Sequence, residues 1–338
     1  ECSFWACIPS KAMLRPASAL DEARQVEGAK EAVAGSLDAA AALRRRDSFV
    51  HDWNDDGGHE WATKAGIDVI RGHGRLAGER RVAVRSGDGS VTDLVARQAV
   101  VVCTGTTAAI PPVPGLAEAK PWTSRNATSA KSAPRRLAIV GGGVVGCEMA
   151  TAWSSLGSEQ VTLLQRGDRL IPALEPFASD LLRAGLEARG VRVVTRAEVD
   201  SVARERDGGP VSISLTNPAE TLEADEILVA AGRSPGTGDI GLESAGLEPG
   251  SWLKVDETMR VSGVEGGWLY AAGDVNHRSL LTHMGKYQAR VCGDVIVARA
   301  RGESVDDPAP WSRYAATADG ACVPQVIFSS PEISAVGL

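Results

Sequence analysis

The sequence LAIVGGGVVG at residues 137–146 decides the fold of this chain. Its four apolar residues predict a buried strand, and Gly141, Gly143 and Gly146 form a G-x-G-x-x-G turn into a helix. The first glycine permits the turn, the second lets the backbone approach a pyrophosphate, and the third lets helix and strand pack closely. The helix N-terminus offers unpaired N–H groups to phosphates. We therefore predict a dinucleotide site that includes Val144 and Val145; the alternative is a turn that merely lets a helix cross a sheet.

The sequence on the C-terminal side of this turn continues the same alternation. Apolar runs at 161–164 and 191–194 predict strands, and residues 178–189 predict a helix between them. A further strand is predicted at 227–230. This β-α-β-α-β order predicts an α/β fold with a parallel sheet covered by helices.

The N-terminal part and the last third of the chain carry weaker patterns. Residues 1–60 predict mostly helix, and the apolar run 67–70 predicts a strand that ends at a tight backbone site, Gly72-His73-Gly74. Glycines between 82–85 and 91–95 predict a hairpin. Runs at 99–102 and 268–272 predict strands, and 284–300 predicts a long helix.

Composition excludes several classes of protein. With 36 Lys and Arg against 43 Asp and Glu among 338 residues, the net charge is −7. No long basic run supports a nucleic-acid or membrane partner, and the Arg-Arg-Arg run at 44–46 is interpreted as a solvated helix face. No apolar stretch approaches the roughly 18–20 residues of a membrane span. Six cysteines are too few for a disulfide scaffold, and nothing resembles a secretory signal, so we expect a cytoplasmic protein.

Cys2 and Cys7 form a C-x4-C pair that runs into Pro9-Ser10-Lys11. The separation can close a small, strained disulfide if the Cβ vectors converge, and such a bond is labile and redox-active. Two incidental cysteines or half of a metal site remain alternatives. No second ligand pair at zinc spacing is present, and we predict no metal site. Three further cysteines, Cys147, Cys292 and Cys322, are predicted to be small core residues.

The stretch from Cys2 to Lys11 resembles the redox-disulfide motif of the class I pyridine nucleotide-disulfide oxidoreductases, which include dihydrolipoamide dehydrogenase, glutathione-type reductases and mercuric reductase. Further motifs resemble that family in the same order along the chain. They are Val102-Cys103-Thr104-Gly105, Ala231-Gly232-Arg233-Ser234-Pro235, Tyr270-Ala271-Ala272-Gly273-Asp274, Leu281-Thr282-His283 and Val323–Glu332. Ala6 stands where the family usually has Gly, and Cys103 where it usually has Ala; both are small.

The resemblance implies two Rossmann-like three-layer domains, with the nicotinamide domain inserted in the FAD domain. The implied ranges are 1–125 and 251–315 for the FAD domain, 126–250 for the NAD(P)H domain, and 316–338 for the start of a dimerisation domain. The family's first G-x-G-x-x-G would precede Glu1, and its C-terminal H-P-x-x-x-E segment would follow Leu338. We therefore expect this chain to be a piece of a longer protein.

The resemblance also implies roles for individual residues. Cys7 would be the flavin-proximal thiol and Cys2 the thiol that attacks the substrate disulfide. Lys11 and Glu148 would form an ion pair beside the flavin; a surface salt bridge is the alternative. The remaining cofactor-binding candidates are His73, Gly74, Cys103, Thr104, Gly105, Gly141, Gly143, Val144, Val145, Gly146, Gln165, Arg166, Gly232, Arg233, Gly273, Asp274, Leu281, Thr282 and His283.

The implied function is that of an FAD-dependent NAD(P)H:disulfide oxidoreductase, a homodimer at full length, acting on a small-molecule or protein disulfide. Alternatives are a mercuric reductase, a flavin NAD(P)H oxidase or quinone reductase with a vestigial disulfide, and a non-catalytic dinucleotide-binding or redox-sensing protein.

The residues that follow the predicted strand 161–164, the second strand of the dinucleotide-binding unit, indicate which nicotinamide cofactor binds. NAD-binding Rossmann folds place an acidic residue there to bind the ribose 2′-OH. This chain has Gln165, followed by Arg166 and then Arg169. Because a guanidinium can bind a 2′-phosphate, we expect NADPH. The alternative is that Gln165 binds the ribose of NADH and Arg166 is a solvated loop residue.

Overall fold

The computed structural model describes residues 1–337 and is a mixed α/β structure. Its α-helices are α1 (Cys7–Gln25), α2 (Ala39–Phe49), α3 (Asp56–Lys64), α4 (Ser124–Ser129), α5 (Val144–Ser155), α6 (Pro176–Ala188) and α7 (Thr282–Ala300). Of the helices within these residues, none combines the length and apolar character that a membrane span requires.

The strands fall into a first group and a second group along the chain. The first is β1 (His73–Leu76), β2 (Arg81–Arg85), β3 (Val91–Val95), β4 (Val100–Val102), β5 (Thr106–Ala108), β6 (Arg136–Val140), β7 (Gln160–Gln165) and β8 (Val191–Thr195). The second is β9 (Glu198–Ala203), β10 (Val211–Asn217), β11 (Ala219–Ala224), β12 (Glu226–Val229), β13 (Arg233–Pro235), β14 (Leu269–Ala271), β15 (Val323–Ile327) and β16 (Ile333–Gly337).

The chain divides into two compact units. Unit 1 contains Glu1–Asp55, Ala108–Gly232 and Val326–Ser334, and unit 2 contains Asp56–Thr107, Arg233–Gln325 and the residues from Ala335 onward. The N-terminal helices join unit 1 because Met13 and Leu14 of α1 pack in the same apolar cluster as the strands of its parallel sheet. The predicted domain ranges 1–125, 126–250, 251–315 and 316–338 follow a different division and stay predictions; Leu338 lies outside the described residues.

A four-stranded parallel sheet forms the centre of unit 1, in the order β12-β6-β7-β8. Leu137 and Ile139 of β6 and Leu163 of β7 are at most 2% exposed. They pack with residues of α5 and α6 in one cluster. The predicted β-α-β-α-β alternation is therefore confirmed, and its physical basis is the apolar faces that the helices and the sheet bury together.

A three-stranded antiparallel sheet, β11-β10-β9, is an element that the sequence analysis missed. Val211, Ile213 and Leu215 alternate with polar residues along β10, and these three side chains are at most 4% exposed. They pack in a second apolar cluster that includes Ile227 and Val229 of β12. The period-two pattern was visible in the sequence and indicates a half-buried strand.

Helix α1 contains Pro16, which has no N–H to donate to the carbonyl of Ala12 one turn earlier. Arg45 of α2 supplies the missing donor, with its Nη1 3.0 Å from the Ala12 oxygen.

Arg46 of α2 is fully buried. The interpretation of 44–46 as a solvated face is therefore wrong for Arg46, because backbone carbonyls satisfy its guanidinium inside the unit.

Unit 2 holds the predicted hairpin, and that prediction is confirmed. Strands β2 and β3 pair antiparallel, and the Ser86 N–H donates to the Ser90 carbonyl at 2.9 Å across the turn. The predicted strand at 67–70 is wrong: Ile67, Val69 and Ile70 form no regular structure and are 41–50% exposed. Strand β1 begins instead at His73, because β2 pairs with His73–Leu76.

The strands predicted at 99–102 and 268–272 are present in unit 2 as β4 and β14, which pair in parallel with Val100 opposite Leu269. Leu269 and Ala271 are fully buried in an apolar cluster with Val102 and Val275. Helix α7 packs through Val291 and Val295 into a further cluster. Strands β15 and β16, which belong partly to unit 1 and partly to unit 2, pair with each other.

Candidate functional site

The segment that holds Cys2 and Cys7 is a tight loop at the start of α1. The N–H groups of Trp5 and Ala6 donate to the Glu1 carbonyl at 2.7 and 3.0 Å. The Ile8 N–H donates to the Cys2 carbonyl at 2.9 Å, which ties Cys2 to the first turn of the helix. Cys7 is the first residue of that 19-residue helix, and both cysteines are partly exposed. A helix N-terminus favours a thiolate over a thiol.

Lys11 and Glu148 form the ion pair that the resemblance implied. Lys11 Nζ lies 2.7 and 3.0 Å from the two Glu148 carboxylate oxygens. The Glu148 side chain is 5% exposed and that of Lys11 35% exposed, so the pair is partly buried; its place beside a flavin stays a prediction. Glu148 also accepts from the Phe328 N–H at 3.1 Å, and Lys11 Nζ lies 5.0 Å from the centroid of the Phe328 ring. Phe328 was not a predicted site residue.

The glycine loop has the geometry that its sequence predicts. Gly141 has φ +115°, and a Cβ there would lie 2.3 Å from the Ala230 carbonyl oxygen. A Cβ on Gly146 would lie 1.9 Å from the Gly141 oxygen, so helix α5 can approach β6 only without one. Gly143 has open space around its Cβ position, and no side chain caps the N-terminus of α5, which begins at Val144. The loop is therefore open where a pyrophosphate would approach.

Gln165, at the end of β7, is engaged with the glycine loop. Its side-chain oxygen accepts from the Gly142 N–H at 3.0 Å, and its Nε2 donates to the Arg169 carbonyl at 3.1 Å. Arg169 in turn donates to the Pro172 carbonyl at 2.8 Å. Arg166 is exposed and makes no hydrogen bond or ion pair with the described part of the chain. Its guanidinium is therefore available to a ligand.

In unit 2, Asp274 is held by a residue that the sequence analysis missed. Thr106 is 5% exposed, and its hydroxyl donates to Asp274 Oδ2 at 2.9 Å. Arg233 donates to the Thr106 hydroxyl at 2.8 Å and to its carbonyl at 2.7 Å. The chain of contacts fixes the carboxylate of Asp274. The only sequence feature that could have found Thr106 is its place directly after the family-like motif Val102-Cys103-Thr104-Gly105.

The segment Thr104-Gly105 and the start of α7 make close backbone contacts within unit 2. The Gly105 carbonyl accepts from the Gly236 N–H at 2.8 Å. A Cβ on Gly285 of α7 would lie 3.2 Å from the Gly273 Cα, and Gln288 accepts from the Gly273 N–H at 2.8 Å. The Gly273-Asp274 turn is therefore packed directly against α7.

The other predicted cofactor residues have the following positions. Leu281 precedes α7, Thr282 is its first residue, and His283 Nε2 lies 2.8 Å from the Pro324 carbonyl oxygen. Within unit 1, the Gly232 carbonyl accepts from the Ala109 N–H at 3.0 Å. The expectation of a tight backbone site at residues 72–74 is only partly right, because His73 and Gly74 belong to β1. The exposed His73 ring contacts the Asp239 carbonyl at 2.7 Å.

The cysteines outside the redox loop differ in exposure. Cys147 and Cys292 are at most 2% exposed, as predicted, and burial raises the pKa of each thiol to about 12. Cys322 is exposed, so its assignment as a core residue is wrong; it lies between a short 3₁₀ turn and β15. Cys103 is also exposed. Within residues 1–337, no group of three His, Cys, Asp or Glu side chains could hold a metal ion.

Comparison with known proteins places these features in a family context. The model of a family described as pyridine nucleotide-disulphide oxidoreductase matches residues 1–298. The dihydrolipoyl dehydrogenase of Chlorobaculum tepidum is 31% identical over 100% of this chain and 68% of its own length. The mercuric reductase of Staphylococcus aureus is 27% identical over 98% of this chain and 57% of its own length.

Two solved structures extend the comparison. LpdA from Mycobacterium tuberculosis is 26% identical with a TM-score of 0.78, covering 100% of this chain and 70% of its own. A mutant of the HOCl-induced flavoprotein disulfide reductase RclA from Escherichia coli has a TM-score of 0.81 and 23% identity, covering 100% of this chain and 68% of its own; this likeness concerns the fold alone. The chain spans 49–68% of the length of the similar mercuric reductases and dihydrolipoyl dehydrogenases.

Proposed function

Because this chain belongs to the pyridine nucleotide-disulphide oxidoreductase family, we propose that the protein is an FAD-dependent NAD(P)H:disulfide oxidoreductase of the dihydrolipoyl dehydrogenase type. The proposal also includes a homodimer and a cytoplasmic location for the full-length protein. The dimer is supported by the resemblance of residues 323–332 to the opening of the family's dimerisation domain. FAD and the nicotinamide would supply the chemistry of hydride transfer when they are bound.

The residues present fit these two cofactors. The open space at Gly143 and the uncapped start of α5 suit a pyrophosphate. At Gly273 there is likewise no atom within 4 Å of a Cβ position, so the backbone beside Asp274 is open to a ligand. Asp274, oriented by Thr106, is suited to accept hydrogen bonds from the hydroxyls of a ribityl chain.

The observation that carries the proposal is the Lys11–Glu148 pair. It joins α1, which begins at Cys7, to α5, which begins directly after the glycine loop. The helix that begins at Cys7 and the helix that would bind a nicotinamide dinucleotide are therefore fixed to each other inside one compact unit. A glycine turn that only lets a helix cross a sheet does not require a partly buried ion pair to α1. Electron transfer between a bound nicotinamide and the redox cysteines, in contrast, requires that α1 and α5 be held together.

The cysteines would carry out thiol–disulfide exchange. In the reduced protein, the Cys2 thiolate attacks the substrate disulfide, forms a mixed disulfide and releases one thiolate, which takes up a proton. The Cys7 thiolate then attacks the Cys2 sulfur, closes the Cys2–Cys7 disulfide and releases the second substrate thiol. Two electrons have moved from the protein dithiol to the substrate. In the dihydrolipoyl dehydrogenase direction the same steps run in reverse.

For the nicotinamide, we propose NADPH. Gln165 is occupied by the glycine loop, and Arg166 is exposed with no partner among the described residues. A free guanidinium beside the adenosine ribose favours a 2′-phosphate. If Arg166→Ala leaves the ratio of kcat/KM for NADPH and NADH unchanged, this part of the proposal is wrong.

The test of the function uses the full-length protein and its Cys2→Ser and Cys7→Ser variants, with Cys322→Ser as the matched control. We expect both loop variants to lose disulfide reduction while they still oxidise NADPH with an artificial electron acceptor such as ferricyanide. Cys322→Ser should retain both activities, because this exposed cysteine lies outside the redox loop.

Three outcomes would overturn the proposal. Disulfide reduction that persists in both loop variants would remove the cysteines from the mechanism. Absence of flavin from the full-length wild type would favour a non-catalytic protein. NADPH oxidation that depends on Hg(II) and not on a disulfide would instead support the mercuric reductase alternative, which the relative from Staphylococcus aureus brings into consideration.

A further inference from the structure

Trp5 is a bulky residue in the middle of the redox loop, between Cys2 and Cys7. Its ring packs against that of Trp53, with centroids 5.7 Å apart and planes tilted by 32°. Tilted aromatic pairs at this separation attract each other beyond the area that they bury. The loop therefore has an aromatic contact with a residue nearly fifty positions away in the sequence.

Two side chains outside the loop bind its backbone. The Trp53 indole N–H donates to the Phe4 carbonyl at 2.9 Å. The Thr128 hydroxyl donates to the Trp5 carbonyl, also at 2.9 Å. Trp53 follows α2 and Thr128 lies in α4, so two separate elements of unit 1 hold adjacent peptide groups of the loop.

The backbone around Trp53 adopts an uncommon conformation. His51, Asp52 and Trp53 have φ values of +49°, +50° and +62°. The left-handed region costs free energy for non-glycine residues, and three in succession persist only where the surroundings hold them. Such conformations concentrate at functional sites.

Three cationic side chains lie over the faces of the two rings and hold them in place. The Lys131 ammonium lies 4.4 Å and the Arg46 guanidinium 5.3 Å from the Trp53 centroid, and Arg125 lies 4.7 Å from that of Trp5. Arg46 is fully buried and donates to the Ala130 carbonyl at 2.9 Å and to the carbonyl of Thr128. The same guanidinium thus contacts the Trp53 ring and holds the C-terminal end of α4, which carries Thr128.

We infer that Trp53 and Thr128 are positioning residues that set the thiol–disulfide equilibrium of the Cys2–Cys7 pair by holding the loop between the two cysteines. Cys2 and Cys7 are both thiols in this structure, so the two hydrogen bonds hold the loop before the disulfide closes. A loop that is already held in one conformation loses less entropy when the bond closes. Releasing either carbonyl lets the reduced loop sample more conformations, which favours the dithiol. The inference rests on the proposed function, because it assumes that the pair is redox-active.

The experiment measures this equilibrium without nicotinamide and without turnover. The full-length protein is equilibrated with mixtures of reduced and oxidised dithiothreitol, quenched by alkylation, and its reduced fraction is read by mass. In this exchange dithiothreitol gives two electrons and two protons to the protein disulfide and becomes its own cyclic disulfide.

The variants are Trp53→Phe, which keeps a ring and removes the N–H donor, and Thr128→Val, which removes the hydroxyl at nearly constant shape. We expect each to be half-reduced at a ratio of reduced to oxidised dithiothreitol about two- to tenfold lower than wild type, the range expected for one net hydrogen bond. Thr128→Ser keeps the donor and should match wild type. Trp61→Phe, at a 67% exposed tryptophan of unit 2, is the second control.

The outcomes distinguish a failure of the proposed function from a failure of the positioning role alone. If wild type shows no titratable disulfide, the proposed function fails. If wild type titrates but Trp53→Phe and Thr128→Val share its midpoint, the positioning role is wrong and the function stands. A shift in Thr128→Ser equal to that in Thr128→Val would also overturn the role, because it would show that the hydroxyl is not responsible.

Discussion

Replacing Lys11 with methionine should destabilise unit 1, because it leaves the buried carboxylate of Glu148 without its cation. Lys11 donates to both Glu148 oxygens, at 2.7 and 3.0 Å, and the Glu148 side chain is only 5% exposed. Removing one partner of a fully buried pair costs about 3–5 kcal/mol. The Lys11 side chain is 35% exposed, so water screens part of the attraction. The Phe328 N–H remains as a donor. We therefore expect a loss of about 2–3 kcal/mol.

The assay is urea denaturation of the full-length protein at pH 7.5, followed by circular dichroism, with the free energy of unfolding compared between variants. Lys64→Met is the matched control. Lys64 pairs with Glu60 at 2.6 Å, but their side chains are 73% and 66% exposed. An exposed pair of this spacing contributes about 0.3–0.5 kcal/mol. If Lys11→Met destabilises no more than Lys64→Met, the argument from burial is refuted.

Three further predictions follow from contacts elsewhere. Partial burial opposes ionisation of Asp47, but hydrogen bonds from Lys131 and Arg46 hold its pKa below the ordinary value of 3.8. Asp47→Asn should therefore lower the unfolding free energy at pH 7 by about 1 kcal/mol, and the difference from wild type should shrink as the pH falls through the folded-state pKa of Asp47, which lies below 3.8. Thr106→Val should weaken FAD binding about three- to tenfold by dialysis, since Asp274 loses its donor, whereas Thr107→Val should not. In the native protein, N-ethylmaleimide should modify Cys322 before the buried Cys147, as mapped by mass spectrometry; equal rates would contradict the burial.

The glycine loop was predictable because its contacts are local. The spacing of Gly141, Gly143 and Gly146 is a property of a few consecutive residues, and Gly141 and Gly146 perform the steric roles that the pattern assigns, while that of Gly143 stays a prediction. The hairpin at 81–95 was predictable for the same reason, since its turn residues lie next to its strands. The strand predicted from the apolar run 67–70 is absent because a strand also needs a pairing partner, which the run itself does not specify.

The ion pair of Lys11 and Glu148 was expected only through a family resemblance, and the structure explains why the residues alone could not give it. Its members lie 137 positions apart and meet because α1 packs against α5. The same holds for Thr106, whose role depends on an aspartate 168 positions later. Their function follows from tertiary packing, which the local pattern of polar and apolar residues does not specify.

The sequence by itself determined the α/β class, the glycine turn and the C-x4-C pair at the start of a helix, because periodicity, glycine sterics and residue chemistry act over short distances. The tertiary structure decided which distant groups surround the pair. It buried Arg46, which composition and charge patterning indicated to be solvated, and it placed Trp53 against Trp5. A side chain's environment is set by the elements that pack on it, so the same arginine run can be solvent-facing or interior until those elements are assembled.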